Sequence, residues 1–230
     1  MTAPATTLLQ RLQRTDLWSG AHLAVPPVPG LASGFTALDA ALPGGGWPRG
    51  ELTELFPARP GIGEFSLLLP ALARLTAEEG WIAVVAPPWP LHAPAWQAAG
   101  LPLARLLMVR ARGQEAAWAC EQLLASGALA ALLAWLPQAD GRQLRRLQLA
   151  ASHHPGPAWL FRPADQAGTA SPAPLRLALA PAPGGLAVTL LKRRGPPLAR
   201  PLVLTVQRPA ASTRRPSSTP LAAPQATPVY

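Results

Sequence analysis

Short apolar runs alternate with helical segments through the middle of this chain. A compact run of apolar residues bounded by turn residues predicts a strand, and a longer segment with apolar positions on one face predicts a helix. The predicted strands are 50–56, 81–88, 103–111, 128–137 and 157–163, and the predicted helices are 65–80, 93–100, 113–127 and 141–154. Strands joined through helices form a parallel sheet covered on both faces. The alternation therefore predicts an α/β fold with a mostly parallel sheet flanked by helices.

The alternation stops after residue 163, and the rest of the chain has a different character. Segments 174–194 and 200–207 have the composition of strands, and the first contains the turn sequence APGG near its middle. Such a turn predicts a hairpin, which would give the sheet an antiparallel C-terminal edge. From residue 209 onward the chain is rich in Pro, Ser, Thr and Ala without an apolar period, which predicts a disordered basic tail.

These patterns divide the 230 residues into three parts. Residues 1–33 hold a short predicted helix and a proline-rich arm, 34–208 form the predicted α/β domain, and 209–230 are the tail. Only 13% of the residues are charged, against about 25% in a typical globular domain. Either a partner covers part of an apolar surface, or a GC-rich genome accounts for the Ala, Pro and Arg content.

Charge is unevenly distributed along the chain. The net charge is +9, all eleven acidic residues lie at or before Asp165, and eight basic residues follow with no acid among them. A basic C-terminal third predicts contact with nucleic acid or with an acidic protein surface. The alternative is that GC-rich coding alone favours arginine.

A single cysteine and the lack of long apolar stretches indicate a cytoplasmic protein. Cys120 rules out an intramolecular disulfide, and its amphipathic surroundings predict a small core residue. The N-terminus has no long apolar core typical of a secretory signal, and no run supplies 18 uninterrupted apolar residues. We therefore predict no contact with a membrane.

The segment ELTELFPARPGIGEFSLLLPAL, residues 51–72, has the outline of a nucleotide-binding loop. In such a loop, backbone amides after a strand hold phosphates, a lysine neutralises them and a Ser or Thr hydroxyl holds magnesium. Gly61 and Gly63 supply the turn, but Glu64 stands at the lysine position and Phe65 at the hydroxyl position. An acid 4 Å from a phosphate charge repels it by roughly 4 kcal/mol at an effective dielectric of 20.

Other positions that should carry charge in an ATPase also lack it. The apolar run ALAALLAW within 128–137 ends in Trp135 rather than in an acid, and the strand at 81–88 ends in Pro87 and Pro88. Lys192 is the only lysine in the chain. We therefore predict a degenerate phosphate loop with no catalytic residue and no cofactor. We also predict no metal site, since His92, His153 and His154 lack Cys or carboxylate neighbours at ligand spacing.

Several stretches resemble a known family. The segment GFTALDAALPGGGWPRGELTEL resembles the opening of RecA-like recombinases. The segments PGIGEFSLLLPAL, GWIAVVAPPW, AWQAAGL, LLAWLP, LRRLQLAA and LFRP resemble the ImuA family of translesion DNA synthesis-associated proteins, which is RecA-like and SulA-like. The resemblance covers roughly residues 30–206 and implies a RecA-like sheet.

The resemblance also implies a role and a set of partners. Glu64 falls where RecA has its phosphate-binding lysine, Phe65 where it has its magnesium-binding hydroxyl, and Trp135 where it has its second-motif aspartate. It implies a non-enzymatic accessory protein of an SOS-induced translesion complex. Its partners would be an ImuB-like Y-family polymerase homologue and an error-prone polymerase III alpha-type subunit, with RecA or a second copy as further candidates.

Two other functions stay open at this point. One is a SulA-like cell-division inhibitor acting on the division GTPase, and the other is an ATP-dependent RecA-type recombinase or regulator. For any of them we expect a cytoplasmic location, with association to the nucleoid when DNA is damaged.

If the protein acts by binding, three surfaces are candidates. Tryptophan is enriched at interface hot spots, although tryptophans near strand ends also cap small cores. The candidate residues are Leu8, Leu12 and Trp18 in the N-terminal helix, Trp89 and Trp96 near strand ends, and Lys192, Arg193 and Arg194 at the basic end. The N-terminal helix could equally fold onto its own domain, and weak DNA contact is expected through the basic C-terminus.

Overall fold

Eight strands in a single sheet form the centre of the molecule. The computed structural model describes residues 29–198 and 200–206. The strands are β1 (Leu52–Pro57), β2 (Trp81–Val85), β3 (Leu106–Val109), β4 (Leu129–Trp135), β5 (Ala158–Phe161), β6 (Leu175–Ala182), β7 (Gly185–Lys192) and β8 (Leu202–Leu204). The helices are α1 (Thr36–Ala41), α2 (Leu69–Ala77), α3 (Ala93–Ala98), α4 (Gly113–Ala125) and α5 (Gly141–Ser152), with 3-10 turns at Leu103–Arg105 and Ala164–Gly168. The predicted N-terminal helix and the predicted tail lie outside the described residues.

The strand order is β3-β2-β4-β5-β1-β6-β7-β8. Strands β1 to β6 run parallel to one another, and β7 and β8 continue the sheet in antiparallel pairing. The predicted fold class is therefore confirmed. The prediction placed β6 in the antiparallel edge of the sheet. In the structure β6 pairs in parallel with β1, and the antiparallel part begins between β6 and β7.

The turn between β6 and β7 follows from its sequence. Pro183 and Gly184 connect the two strands, and Gly184 has φ of +74°. Proline fixes the first central position of a tight turn, and glycine adopts the positive φ that the second position of a type II turn requires. The predicted hairpin is thus confirmed, and the chain reverses direction at these two residues.

Each face of the sheet supports its own apolar core. Ile82 and Val84 of β2 face the core beneath α1, α2 and α3, whereas Ala83 and Val85 face the core beneath α4 and α5. Because successive strand side chains point to opposite faces, a strand covered on both sides is apolar at most of its positions. This explains the unbroken apolar runs in the sequence.

Helix α2 begins later than predicted. The prediction placed its start at Phe65, but residues 60–68 form successive turns and the helix runs only over Leu69–Ala77. Pro70 lies in the first turn, where a missing backbone N–H costs nothing and the fixed φ suits a helix start. The helix N-terminus is therefore displaced along the chain from Gly61 and Gly63, whose amides would hold a phosphate.

No helix in the described part of the chain combines the length and the apolar character needed to cross a membrane.

Candidate functional site

The loop between β1 and α2 binds its own carboxylate. Glu64 Oε1 accepts a hydrogen bond from the Gly61 amide at 2.9 Å, and Glu64 Oε2 accepts one from the Gly63 amide at 3.1 Å. Both glycines have positive φ, +78° and +106°, which turns their amides toward one point. The arrangement is an anion-binding turn in which the anion is a side chain of the same loop.

This geometry sharpens the expectation about Glu64. The sequence predicts that the acid repels a phosphate, and the structure adds that it occupies two donors that a phosphate would use. A phosphate group would have to displace the carboxylate and then lie beside it. Donor occupancy and charge repulsion therefore act in the same direction.

Phe65 lies in a cluster of four aromatic rings, which we call the aromatic cluster and which consists of Phe65, Trp96, Trp135 and Phe161. The Phe65 ring stacks on Trp135 at 5.3 Å and on Phe161 at 5.7 Å between ring centroids, and it contacts Trp96 at 5.4 Å. Trp135 and Phe161 stack at 4.4 Å with an interplanar angle of 9°. Phe65 and Trp135 stand where the resemblance to RecA implies magnesium ligands, and their side chains stack on each other instead.

Strand register places these rings together. Trp135 ends β4, and Phe161 ends β5 directly beside it in the parallel ladder, so both side chains leave the same face at the same level. Phe161 is a member of the cluster that the sequence interpretation missed. A signal was available in the sequence, since Phe161 is an aromatic residue two positions before the proline that ends segment 157–163, just as Trp135 stands two positions before the proline that ends segment 128–137.

The loop after β2 presents one tryptophan to solvent and buries another. Trp89 is 67% exposed and stands between Pro88 and Pro90, whereas Trp96 on α3 is buried against Phe65. Ala86, at the start of the loop, has φ of +51°, a conformation rare for residues other than glycine. Trp89 is thus held on a short segment with restricted backbone freedom.

Trp47, a further tryptophan in a loop, belongs to the core. Trp47 is fully buried and packs edge to face on Trp159 at 5.7 Å between ring centroids. The alternative that such tryptophans cap the core therefore applies to Trp47 and Trp96, while Trp89 remains a candidate for interaction. Leu8, Leu12 and Trp18 lie outside the described residues.

A buried ion cluster occupies the centre of the sheet. Glu54 of β1 accepts from Arg162 Nη1 at 2.8 Å and from Arg176 Nε at 2.6 Å, and all three side chains are nearly or fully buried. Arg162 also donates to the Ala139 carbonyl at 2.9 Å. The expectation that the basic residues after Asp165 are unneutralised is therefore wrong for Arg176, because the fold brings Glu54 to it from 122 residues away.

The basic end of β7 is also tied into the fold. Lys192 Nζ donates to the Ser171 carbonyl at 2.9 Å, and Arg193 donates to the carbonyls of Pro196 and Ala41. Arg194 pairs with Glu51 at 2.5 Å, so the expectation of an unneutralised charge is wrong here too. These residues lie at the amino end of β1, whereas the loop and the aromatic cluster lie at its carboxyl end.

The other titratable candidates are core residues. Cys120 is buried on α4, and burial raises the pKa of its thiol to about 12, which keeps it protonated and unreactive. His154 is 1% exposed, and burial lowers the pKa of its imidazole. Within the ranges 29–198 and 200–206, no three His, Cys, Asp or Glu side chains come together as a metal site.

Fold and site together define an α/β domain with the outline of a phosphate loop whose ligand positions are filled by its own side chains. A family model described as the cell division inhibitor SulA matches residues 53–157, less than half of the chain. The matched residues include β1 to β4 and α5, and the sheet continues beyond them with β5 to β8.

Among solved structures, the chain is similar to the crystal structure of SulA from Pseudomonas aeruginosa. The two are 22% identical with a TM-score of 0.40, and the match covers 48% of this chain and 97% of that one. A likeness of this size establishes neither a shared fold nor a shared activity. No curated protein matches the chain. The finer resemblance to the translesion family is not confirmed by these comparisons.

Proposed function

We propose that this protein is a non-enzymatic, SulA-like inhibitor of cell division that acts by binding another protein. The observation that carries the proposal is the occupied loop, in which Glu64 satisfies the amides of Gly61 and Gly63 and Phe65 packs on Trp135. A phosphate loop whose amides are occupied by its own carboxylate supports a role in protein binding rather than in nucleotide hydrolysis. The match of residues 53–157 to the SulA model favours cell division as the process.

The carboxyl edge of the parallel strands is the proposed binding surface, with Trp89 at its centre. Exposed tryptophans contribute much of the binding free energy at protein interfaces. Trp89 is exposed on a loop stiffened by Pro87, Pro88 and Pro90, so little conformational entropy is lost when a partner covers it. As the partner we propose the division GTPase.

Expression in growing bacteria tests this function directly. We expect the full chain to block septation and produce filamentous cells, and the purified protein to reduce polymerisation of the division GTPase in a sedimentation assay. Trp89→Ala should weaken inhibition at least about tenfold, as loss of a hot-spot side chain does. Trp118→Ala is the matched control, because Trp118 is 61% exposed but lies on α4. Normal division at high expression of soluble protein contradicts the proposal.

A second candidate is an accessory role in translesion synthesis. The observation that favours it is the extent of the domain, because β5 to β8 lie beyond the residues matched by the SulA model but within the stretch that resembles the translesion family. The partners would be the ImuB-like polymerase homologue and the polymerase III alpha-type subunit. Co-expression followed by a pull-down tests this role, and the lack of a stable complex with either protein excludes it.

A further inference from the structure

A cleft at the amino end of the sheet brings Arg193 and Arg194 of the basic C-terminal third together with Arg49. It is lined by Arg49, Glu51, Arg193 and Arg194 together with three prolines and Leu175, and it is small and open to solvent. We call it the basic cleft. Because β1 and β6 are parallel and β7 runs back, Glu51 at the start of β1 meets the two arginines at the end of β7. The cleft is thus at the opposite end of β1 from the Glu64 loop.

The guanidinium groups of the basic cleft are held in place by the backbone. Arg193 donates through Nε to the Pro196 carbonyl at 2.7 Å and through Nη1 to the Ala41 carbonyl. Arg49 donates to the Pro155 carbonyl at 3.4 Å. Neutral carbonyls fix these side chains without cancelling their charge. A guanidinium that is already fixed loses less entropy when an anion binds it.

Charge in the basic cleft is unbalanced. Three arginines and one carboxylate, that of Glu51, line the cleft, and Glu51 pairs with Arg194 at 2.5 Å, so two positive charges remain in formal excess. Arg194 is 70% exposed, and Lys192, two residues before it on β7, is exposed as well. An anion that approaches Arg194 competes with Glu51 for it. The cleft is therefore suited to a ligand with several negative charges.

The lining of the cleft indicates which anion. Its uncharged wall consists of Pro43, Pro48, Pro174 and Leu175, with no aromatic ring on which a base could stack and no amide side chain that could read a base edge. Three arginines line the cleft, and each can bind a separate phosphate, which suits a chain of phosphates better than one compact anion. We propose that the basic cleft binds the phosphodiester backbone of a nucleic acid strand, without sequence preference.

This inference is independent of the proposed function and is tested separately. A labelled single-stranded oligothymidylate is titrated with the full chain at several salt concentrations. Each phosphate contact contributes a slope of about −0.7 in log K against log salt, or about fivefold in affinity at about 0.1 M salt. Arg194→Gln should therefore weaken binding about fivefold and make the slope shallower by about 0.7. Glu51→Gln should strengthen binding by a similar factor, because it frees Arg194.

Matched variants separate the cleft from general electrostatics. Arg142→Gln removes an exposed arginine on α5, and Glu79→Gln frees Arg105 from another exposed ion pair, so both change the net charge equally but elsewhere. We expect neither variant to change the affinity for the oligothymidylate more than twofold, which corresponds to about 0.4 kcal/mol of binding free energy. Equal effects from the control pair and the cleft pair, or no effect of Glu51→Gln, overturn the proposal.

Competitors identify the source of the anion. At constant ionic strength, unlabelled oligothymidylate should displace the labelled strand, whereas inorganic phosphate and polyglutamate should not. Displacement by millimolar phosphate would show a site for a single phosphate group, and displacement by polyglutamate would show a site for an acidic protein segment. Either result contradicts the assignment to a nucleic acid backbone.

Discussion

At the scale of single residues, Glu64 decides the chemistry of the loop. The sequence shows that an acid replaces the expected lysine, and from this alone one can predict that phosphate binding is lost. The sequence could not show that the carboxylate turns back onto the amides of Gly61 and Gly63, because that depends on the positive φ of both glycines and on the late start of α2.

Removal of the Glu64 carboxylate should loosen the loop without creating an active site. We expect Glu64→Ala to lower the free energy of unfolding by about 1–2 kcal/mol, because two charge-assisted hydrogen bonds are lost at a partly exposed position. The amide hydrogens of Gly61 and Gly63 should exchange faster in NMR measurements. Glu78→Ala, at an exposed position at the end of α2, is the control and should change stability by no more than about 0.5 kcal/mol. Unchanged amide exchange in Glu64→Ala would contradict the account of the loop.

His154 should make stability depend on pH. Its pKa is lowered by burial, so the unfolded chain takes up a proton near pH 6.5 while the folded protein takes it up only at lower pH. The stability contributed by the neutral ring is therefore complete above about pH 6.5 and decreases as the pH falls toward the folded pKa. We expect stability to fall between about pH 7.5 and pH 5.5 in urea denaturation, by at most about 1.4 kcal/mol per pH unit for this one group.

Replacement of His154 provides the control for this prediction. His154→Leu should remove most of the pH dependence, whereas His92→Leu, at an exposed position before α3, should leave it intact. If the wild-type protein and His154→Leu lose the same stability on acidification, another group is responsible.

At the scale of strands and helices, the pattern of apolar runs along the sequence predicted the order of the elements, but it did not predict which residues meet at the ends of the strands. The apolar runs predicted the positions of the strands, because strands in a sheet covered on both faces are mostly apolar. The aromatic cluster depends on register, which pairs Trp135 with Phe161 and which no local pattern specifies. In the same way, Arg176 was expected to be free because its partner Glu54 is distant in sequence.

The buried ion cluster gives the sharpest prediction at this scale. Glu54→Gln leaves Arg162 and Arg176 buried without a counter-charge, and breaking such a cluster typically costs 3–5 kcal/mol, so we expect a loss of about that size in urea denaturation. Glu121→Gln is the comparison, because its partner Arg146 is largely exposed and such pairs contribute about 0–1 kcal/mol. Similar losses in the two variants would show that Glu54 does not hold the arginines.

At the scale of the whole molecule, the two ends of the parallel strands have different characters. The carboxyl end holds the closed loop, the aromatic cluster and the exposed Trp89, and the amino end holds the basic cleft. The ligands of parallel α/β sheets usually bind at the carboxyl end, where loops after the strands converge. In this protein that end is filled from within by Glu64 and the aromatic cluster, while Trp89 lies exposed on the loop after β2.

The central claim is that the phosphate loop is closed by its own side chains. Calorimetric titration of the full chain with ATP and magnesium tests it most directly. We predict no saturable heat up to about 1 mM nucleotide, which corresponds to a binding free energy weaker than about −4 kcal/mol. Saturable binding in the micromolar range, accompanied by DNA-stimulated hydrolysis that disappears in Gly63→Ala, would contradict the claim.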